Sequence, residues 1–339
     1  MPLNFFTLLL MMIRAKYLLL LTCLAVLQSG YALAQTYPNK TVSLVVPYPA
    51  GGISDVIARI VSPALSKRLG ETVIVENIGG ASGGIAAQKL LNSPADGYLI
   101  LQGSPNELIL GPLANAAIKF KSEDFRLVQM VGSAQIAFLV RSSLPVSDVD
   151  SFLAYAKKSA QDGKPLSYAS VGTGSFYHLL GEQLSKLSNI PMVHVPYKGA
   201  GPALQDLIGG QIDFFLAPYG SAYDELNKQG KLKLLAMLNA KRLDGVKSYP
   251  AITESKSLKS FVFSIWTGYF VKKETPDSVV QTLNLALGKV LEDQSVRSAL
   301  EANSIIISKP LSANDLDKIY GEGTSQFRAI ASSIDLKPQ

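Results

Sequence analysis

The sequence predicts an α/β protein with two lobes, each a mainly parallel sheet flanked by helices. Short apolar runs alternate with helical repeats along most of the chain, which is typical of parallel sheets covered by helices. The chain has 339 residues, enough for two domains with cores of their own. After Pro276 the pattern is helical without strands, so we expect these helices to pack on a sheet formed earlier in the chain.

Residues 1–34 have the pattern of a secretory signal peptide. Arg14 and Lys16 precede an apolar run that contains the sole cysteine, and a small-x-small pattern ends at Ala34, after which we predict cleavage. Removing this segment deletes two basic residues and no acidic residue, so the formal charge falls from +6 to +4. The rest has no basic cluster with interleaved aromatic residues, which disfavours nucleic acid as a partner.

The first unit after the signal is predicted to be βαβαβ. Its strands are the apolar segments 41–46, 72–76 and 98–103. The first helix carries Ile57, Val61 and Leu65 on one face and ends at Gly70. The second helix ends near Pro94.

The second half repeats this pattern. Further strands are predicted at 137–140, 166–170, 192–195, 213–217, 233–237 and 263–271, with helices at about 202–209 and 219–229. Because the first unit has only three strands, we place the C-terminal helices on it. The prediction is a discontinuous first lobe of residues 35–136 plus 260–339, an inserted second lobe of residues 137–259, and a hinged cleft between them.

One turn in the first unit, "VPYPAGGISD" at residues 46–55, joins a strand to a helix. It has neither the lysine of a phosphate loop nor the Gly-x-Gly-x-x-Gly of a dinucleotide fingerprint. Gly51 and Gly52 would expose backbone N–H groups at the positive end of the helix dipole, which suits a small carboxylate. The alternative is an ordinary turn capped by Ser54 or Asp55.

A second turn of this kind, Gly172 to Ser175, lies between a strand and a helix in the second half. Pockets in open α/β sheets lie at the carboxyl ends of strands. Two such turns, one in each lobe, would be able to hold the two ends of a diacid.

Residues 46–55, 167–178 and "VPYKGAGPALQDLIGGQID" at 195–213, read together, closely resemble the solute-binding proteins of tripartite tricarboxylate transporters, the Bug family. The similarity extends through 94–103, 124–133 and 274–284. The resemblance implies a periplasmic binding protein of the Venus flytrap shape. Such a receptor captures a small carboxylate and delivers it to two integral membrane subunits, and we expect a monomer that has no cofactor or metal and is not an enzyme.

The resemblance also implies which residues bind the ligand. The turn at 46–55 would hold it partly through ordered waters, and the turn at 172–175 would bind a carboxylate directly. The residues carried over are Tyr48, Ala50, Gly52, Ser54, Thr173, Gly174 and Ser175. Neighbouring positions and strand ends add Ile53, Ser82, Ser104, Phe176, His178 and Pro218. Family members often have two small residues in place of Ile53-Ser54 and a small or Pro-containing pair in place of Phe176-Tyr177. Because of these departures, the resemblance does not fix which carboxylate this chain binds.

Two other functions stay open at this point. A secreted hydrolase would use Ser175 and His178, but no third residue is evident to orient the imidazole. A periplasmic sensor subunit would share the binding chemistry of a transport receptor. His194 and the sole tryptophan, Trp266, are expected in the core, with a place in the pocket wall as the alternative for Trp266.

The ligand is predicted to be a dicarboxylate or an aromatic carboxylate rather than citrate. The cleft turns contain no Arg or Lys, so three negative charges would be harder to desolvate than one or two. Tyr48, Phe176, Tyr177 and Tyr219 could supply an aromatic wall, unless these rings face the core or solvent.

Overall fold

The strands of this computed structural model form one continuous mixed sheet that helices cover. The structure describes residues 12, 14–16, 37–243, 248–333, 336 and 338. The strands are β1 (Val42–Val46), β2 (Val73–Asn77), β3 (Leu99–Gly103), β4 (Phe125–Arg141), β5 (Ser167–Ser170), β6 (Val193–Pro196), β7 (Phe214–Pro218), β8 (Leu232–Met237), β9 (Ser264–Lys272) and β10 (Ile305–Ile307). The helices are α1 (Ile53–Leu69), α2 (Gly84–Asn92), α3 (Gly111–Ala114), α4 (Val149–Gln161), α5 (Phe176–Ser188), α6 (Ala200–Ile208), α7 (Ala222–Lys228), α8 (Asp277–Glu292), α9 (Gln294–Glu301) and α10 (Ala313–Ser333).

The strand order across the sheet is β2-β1-β3-β9-β4-β7-β5-β6, and β8 and β10 also pair with β4. β1 pairs in parallel with β2 and β3, and β5 pairs in parallel with β6 and β7. β4 and β9 pair antiparallel with their neighbours. The sheet is therefore parallel in its outer strands and antiparallel in the middle, which corrects the prediction of mainly parallel sheets.

The long strand β4 connects two lobes. Its residues 125–135 pair with β9, and its residues 136–141 pair with β7 and β8. The first lobe contains β1, β2, β3, β9, β10 and the start of β4, and the second contains β5 to β8 and the end of β4. Together they belong to one compact unit, Lys40–Gln339. The residue limits of the lobes stay a prediction.

Two elements differ from the sequence prediction. Only residues 137–140 of β4 were predicted, because polar residues interrupt the earlier apolar run; Gln129 and Gln135 are nevertheless buried. The C-terminal region was predicted to be strand-free, but β10 lies between α9 and α10 and pairs with residues 132–134 of β4. A strand of three residues between helices carries too little periodicity to be recognised.

Helix α1 begins and ends as its sequence suggests. It buries Ile57, Val61 and Leu65 against the sheet and against α8. Gly70, which follows its last residue, has a φ of 74° and donates its N–H to the carbonyl of Ser66 at 3.0 Å. This left-handed ending satisfies a helix carbonyl and turns the chain towards β2, as predicted.

The predicted signal peptide, residues 1–34, lies outside the described residues except for Met12 and residues 14–16. Within the described part of the chain, none of the helices combines the length and the hydrophobicity that crossing a membrane requires.

Candidate functional site

Two adjoining cavities lie between the lobes, at the carboxyl ends of β1, β3 and β7. Their volumes are about 20 Å³ and about 30 Å³, so each has room for about one water molecule. The residues that line both cavities are Tyr48, Ile53, Ser54, Tyr177 and Pro218. The first cavity is also lined by Gly52, Val171 and Ala200, and the second by Ile57, Ser104, Asn106, Ala134, Ile265, Trp266 and Thr267.

The N-terminus of α1 opens onto both cavities. Gly52 precedes the helix and offers no side-chain cap, and the amides of Ile53 and Ser54 have no carbonyl partner within the helix. The helix begins at Ile53, so Ser54 and Asp55 lie in its first turn and neither occupies the capping position. The positive end of the helix dipole therefore faces the cavities, where it would stabilise an anion.

An ion pair holds the turn before α1 in place. Gly51, with a φ of 89°, donates its N–H to Asp55 Oδ2 at 3.1 Å, and Arg59 Nε lies 3.0 Å from the same carboxylate. Burial raises the pKa of Asp55, but the hydrogen bonds from Arg59 and Gly51 outweigh it and bring this pKa below its usual value. The carboxylate thus stays ionised and fixes the turn.

The second turn, Gly172 to Ser175, directs its amides to partners within the protein. Gly174 donates its N–H to His178 Nδ1 at 3.0 Å. Ser175 precedes α5, and its Oγ accepts the N–H of His178 at 3.4 Å. Phe176 donates its N–H to Asn106 Oδ1 at 2.7 Å, so a side chain of the first lobe caps a helix of the second.

His178 is held in its neutral form. Its ring stacks on that of His194 with 3.9 Å between centroids, and its Nδ1 accepts a hydrogen bond from a backbone amide. Burial lowers the pKa of His178, and burial together with the nearby His178 lowers the pKa of His194 to about 4. His178 Nδ1 is bonded to Gly174 and not to Ser175 Oγ, so the nucleophile–base pair of a hydrolase is not formed. His194, expected in the core, is half-buried on β6.

The turns of the two lobes touch one another. Ser82 donates its hydroxyl to the carbonyl of Thr173 at 3.0 Å, across the lobes. A Cβ placed on Gly174, which has a φ of 77°, would lie 1.8 Å from the Cβ of Ala114. Only a residue without a side chain permits this approach.

The structure brings part of the predicted site together. Six predicted residues line the cavities: Tyr48, Gly52, Ile53, Ser54, Ser104 and Pro218. Seven others do not: Ala50, Ser82, Thr173, Gly174, Ser175, Phe176 and His178. Of these, Phe176 is buried, and its ring packs against Phe263 and Phe327 at centroid distances of 6.0 and 5.6 Å. Tyr219, considered for an aromatic wall, is buried and bonds Asp224.

Sequence reasoning missed several lining residues. Most of them are apolar residues, which look like core residues in a sequence. Trp266, expected in the core, lines the second cavity, whereas Tyr177, already considered for an aromatic wall, lines both cavities. Asn106 had one usable signal, its position directly after a predicted strand.

A buried carboxyl behind the cavity wall was also missed. None of the lining residues is charged. Glu107 is fully buried one layer behind them, and its carboxylate accepts hydrogen bonds from Tyr48 and Ser104. Burial raises the pKa of Glu107 to about 7. Its place within the apolar segment "NELIL" gave no sign of this position.

Comparison with known proteins identifies the family. Residues 57–336 match the family model described as tripartite tricarboxylate transporter family receptor. Protein BugT of Bordetella pertussis is 31% identical over 271 residues, which cover 79% of this chain and 82% of BugT. MatC (Rpa3494) from Rhodopseudomonas palustris, solved with bound malate, has a TM-score of 0.79 and 26% identity, covering 87% of this chain and 99% of MatC. R. palustris Rpa4515, solved with adipate, has a TM-score of 0.81 and 27% identity, covering 89% of this chain and all of that one. These matches confirm the two-lobed binding-protein fold predicted from the sequence.

Proposed function

Because the chain belongs to the family of tripartite tricarboxylate transporter receptors, we propose that it is a periplasmic receptor that captures a dicarboxylate and delivers it to a membrane transporter of that type. The family is one of solute-binding proteins, so the chain is not an enzyme.

The class of ligand is inferred from one observation, the uncharged cavity at the N-terminus of α1. Its polar groups are helix amides, hydroxyls and the amide of Asn106, without a lysine or arginine among the lining residues. Neutral donors and a helix dipole can compensate one or two carboxylates, whereas a third charge adds a desolvation cost that nothing there offsets. The malate and adipate held by the two similar proteins support the same class.

Entry of the ligand requires the lobes to separate. Pockets for small molecules commonly have about 300–1,000 Å³, whereas the two cavities here have about 20 and 30 Å³. The lobes are joined by β4. They also meet through hydrogen bonds between turns and through the packing of Phe176 on Phe263 and Phe327, so a hinge motion about β4 that breaks these contacts would open the site. Ligand then shifts the population towards a closed form in which both lobes contribute donors.

An aromatic carboxylate is a second candidate. The side chains of Tyr48, Tyr177 and Trp266 line the second cavity, and a flat ring could pack against them. Aliphatic and aromatic acids therefore belong in the same screen.

The proposal is tested by a thermal-shift screen of mono-, di- and tricarboxylates, with calorimetry on the acids that stabilise the chain. A ligand at 100 times its Kd stabilises the folded state by about 2.7 kcal/mol. We expect a dicarboxylate or an aromatic acid to bind most tightly. Citrate binding at least tenfold more tightly than every such acid, a difference of about 1.4 kcal/mol, would contradict the ligand class.

A pair of glycine variants tests the location of the site. Gly52→Leu places a side chain in the first cavity, since a Cβ there would already lie 3.8 Å from Ala200 Cβ. Gly321→Leu is the control, because a Cβ at Gly321 meets nothing within 4 Å. We expect loss of binding in the first variant and unchanged binding in the second. If Gly52→Leu binds the ligand as tightly as Gly321→Leu and the wild type do, the ligand lies elsewhere.

A further inference from the structure

The buried carboxyl of Glu107 accepts hydrogen bonds from two hydroxyls of the cavity wall. Tyr48 donates its hydroxyl to Glu107 Oε2 at 2.9 Å, and Ser104 donates its hydroxyl to the same oxygen at 2.9 Å. The backbone N–H of Ser104 donates to Oε1. Tyr48 and Ser104 both line the second cavity, whereas Glu107 is fully buried behind them.

A hydroxyl has one proton, so a hydroxyl that donates to Glu107 can only accept on its other side. With Glu107 ionised, Tyr48 and Ser104 therefore have only lone pairs to present to the cavity, and Ser104 Oγ uses one of its lone pairs to accept the N–H of Asn106 at 3.3 Å. Lone pairs repel a carboxylate oxygen, which is an acceptor only. A protonated Glu107 instead donates to one of the two hydroxyls, and that hydroxyl can turn its proton towards the ligand.

The negative charge of an ionised Glu107 would also disfavour the binding of a carboxylate in the cavity. Among the described residues Glu107 forms no ion pair, and the titratable groups that face it are tyrosines: Tyr48 from the turn after β1, Tyr177 from α5 and Tyr320 from α10. Burial raises the pKa of each of these tyrosines, so they stay neutral between pH 6 and 9. A ligand anion brought close to an ionised Glu107 would meet a second negative charge without a cation between them.

We propose that Glu107 is a positioning residue that takes up one proton when a carboxylate binds, thereby converting a hydroxyl of Tyr48 or Ser104 from acceptor to donor. This inference rests on the proposed carboxylate-binding function and adds its coupling to a proton. The proton comes from solvent and is released when the ligand leaves. The pKa of Glu107, raised to about 7 by burial, places the coupling near neutral pH.

The coupling predicts how affinity depends on pH. Aliphatic dicarboxylates are fully ionised above about pH 6.5, so the charge of the ligand does not change there. Below about pH 7 Glu107 is already protonated in the free protein, so the affinity should not change with pH. Above about pH 7, binding of each ligand requires the uptake of one proton from solvent, so the Kd should rise by up to about tenfold per pH unit.

The experiment is titration calorimetry with malate and with adipate at pH 6, 7, 8 and 9. Each pH is measured in two buffers of different ionisation enthalpy, because the difference in heat gives the number of protons taken up. We expect uptake to approach one proton per ligand at pH 9 and to vanish at pH 6. Binding without proton uptake and with a flat Kd over this range would overturn the inference and leave the proposed function intact.

The variant Glu107→Gln assigns the proton to this residue. Its amide can donate to Tyr48 or Ser104 as the protonated acid would, so we expect binding without proton uptake and a Kd that no longer changes with pH. Glu292→Gln removes an exposed carboxylate on α8, paired with Lys289, and is expected to keep the wild-type profile. A Glu107→Gln variant that keeps the wild-type slope refutes the assignment. If this variant fails to fold, the number of protons taken up by the wild type still decides whether binding is coupled to a proton. If the wild type binds none of the screened acids, the proposed function and the inference are both refuted.

Discussion

Closure of the lobes should depend on the absence of a side chain at Gly174. In the structure a Cβ at this position would lie 1.8 Å from Ala114 Cβ of the other lobe. Two carbon atoms in contact are about 3.5 Å apart, so in Gly174→Ala the turns must separate by about 1.7 Å along this line, the difference between 3.5 and 1.8 Å. The clash opposes closure only, because open lobes no longer face each other here.

The expected size of the effect follows from the hydrogen bonds that this separation breaks. Ser82 to Thr173, at 3.0 Å, and Phe176 to Asn106, at 2.7 Å, both cross between the lobes beside Gly174. A hydrogen bond contributes about 0.5–1.5 kcal/mol net. Losing both would cost the closed form about 1–3 kcal/mol, which corresponds to a Kd about 5- to 150-fold weaker.

Gly163→Ala is the matched control. Gly163 also has a left-handed φ, 74° against 77° for Gly174, but a Cβ there meets nothing within 4 Å. Both variants should lose similar stability, about 1–2 kcal/mol, from alanine in the left-handed region. Calorimetry with the acid found by the screen and small-angle scattering with and without it would measure affinity and closure. Binding by Gly174→Ala within twofold of Gly163→Ala, with the same compaction, would refute the reasoning.

Three further predictions follow from the site. Ser175→Ala removes the cap of α5 and should lower the free energy of unfolding, measured with denaturant, by about 1 kcal/mol. Thr173→Ala removes an exposed side chain and should change the free energy of unfolding by less than about 0.5 kcal/mol. Trp266, the sole tryptophan, lines the second cavity, so its fluorescence should change on titration with malate or adipate, and constant emission at saturation would contradict that position. The pKa of His194 is lowered to about 4 from a usual 6.5. Its neutral form therefore stabilises the fold above about pH 6.5, and this stability is lost as the pH falls towards 4. On acidification, the melting temperature should fall more steeply in the wild type than in His194→Gln.

Much of the fold could be predicted from the sequence because local patterns decide it. Apolar runs marked β1, β2 and β3, and Gly70 marked the end of α1. β4 and β10 were incomplete or missed, because their strand character comes from pairing with each other and with β9. Buried Gln129 shows the reason: its Oε1 accepts the N–H of Leu311, 182 residues away, which no local pattern reveals.

For the site, the sequence by itself determined which turns lie at the strand ends and which residue types they carry: glycines, hydroxyls and no lysine or arginine. Only the tertiary structure decided which of their hydrogen-bonding groups face the cavity. The amides of Gly174 and Phe176 are bonded to His178 and Asn106, and the hydroxyl of Tyr48 is bonded to Glu107. A backbone amide or a hydroxyl has one proton to donate, and packing between segments far apart in the chain decides which acceptor receives it. Phe176 and Asn106 are 70 residues apart, and Tyr48 and Glu107 are 59 residues apart.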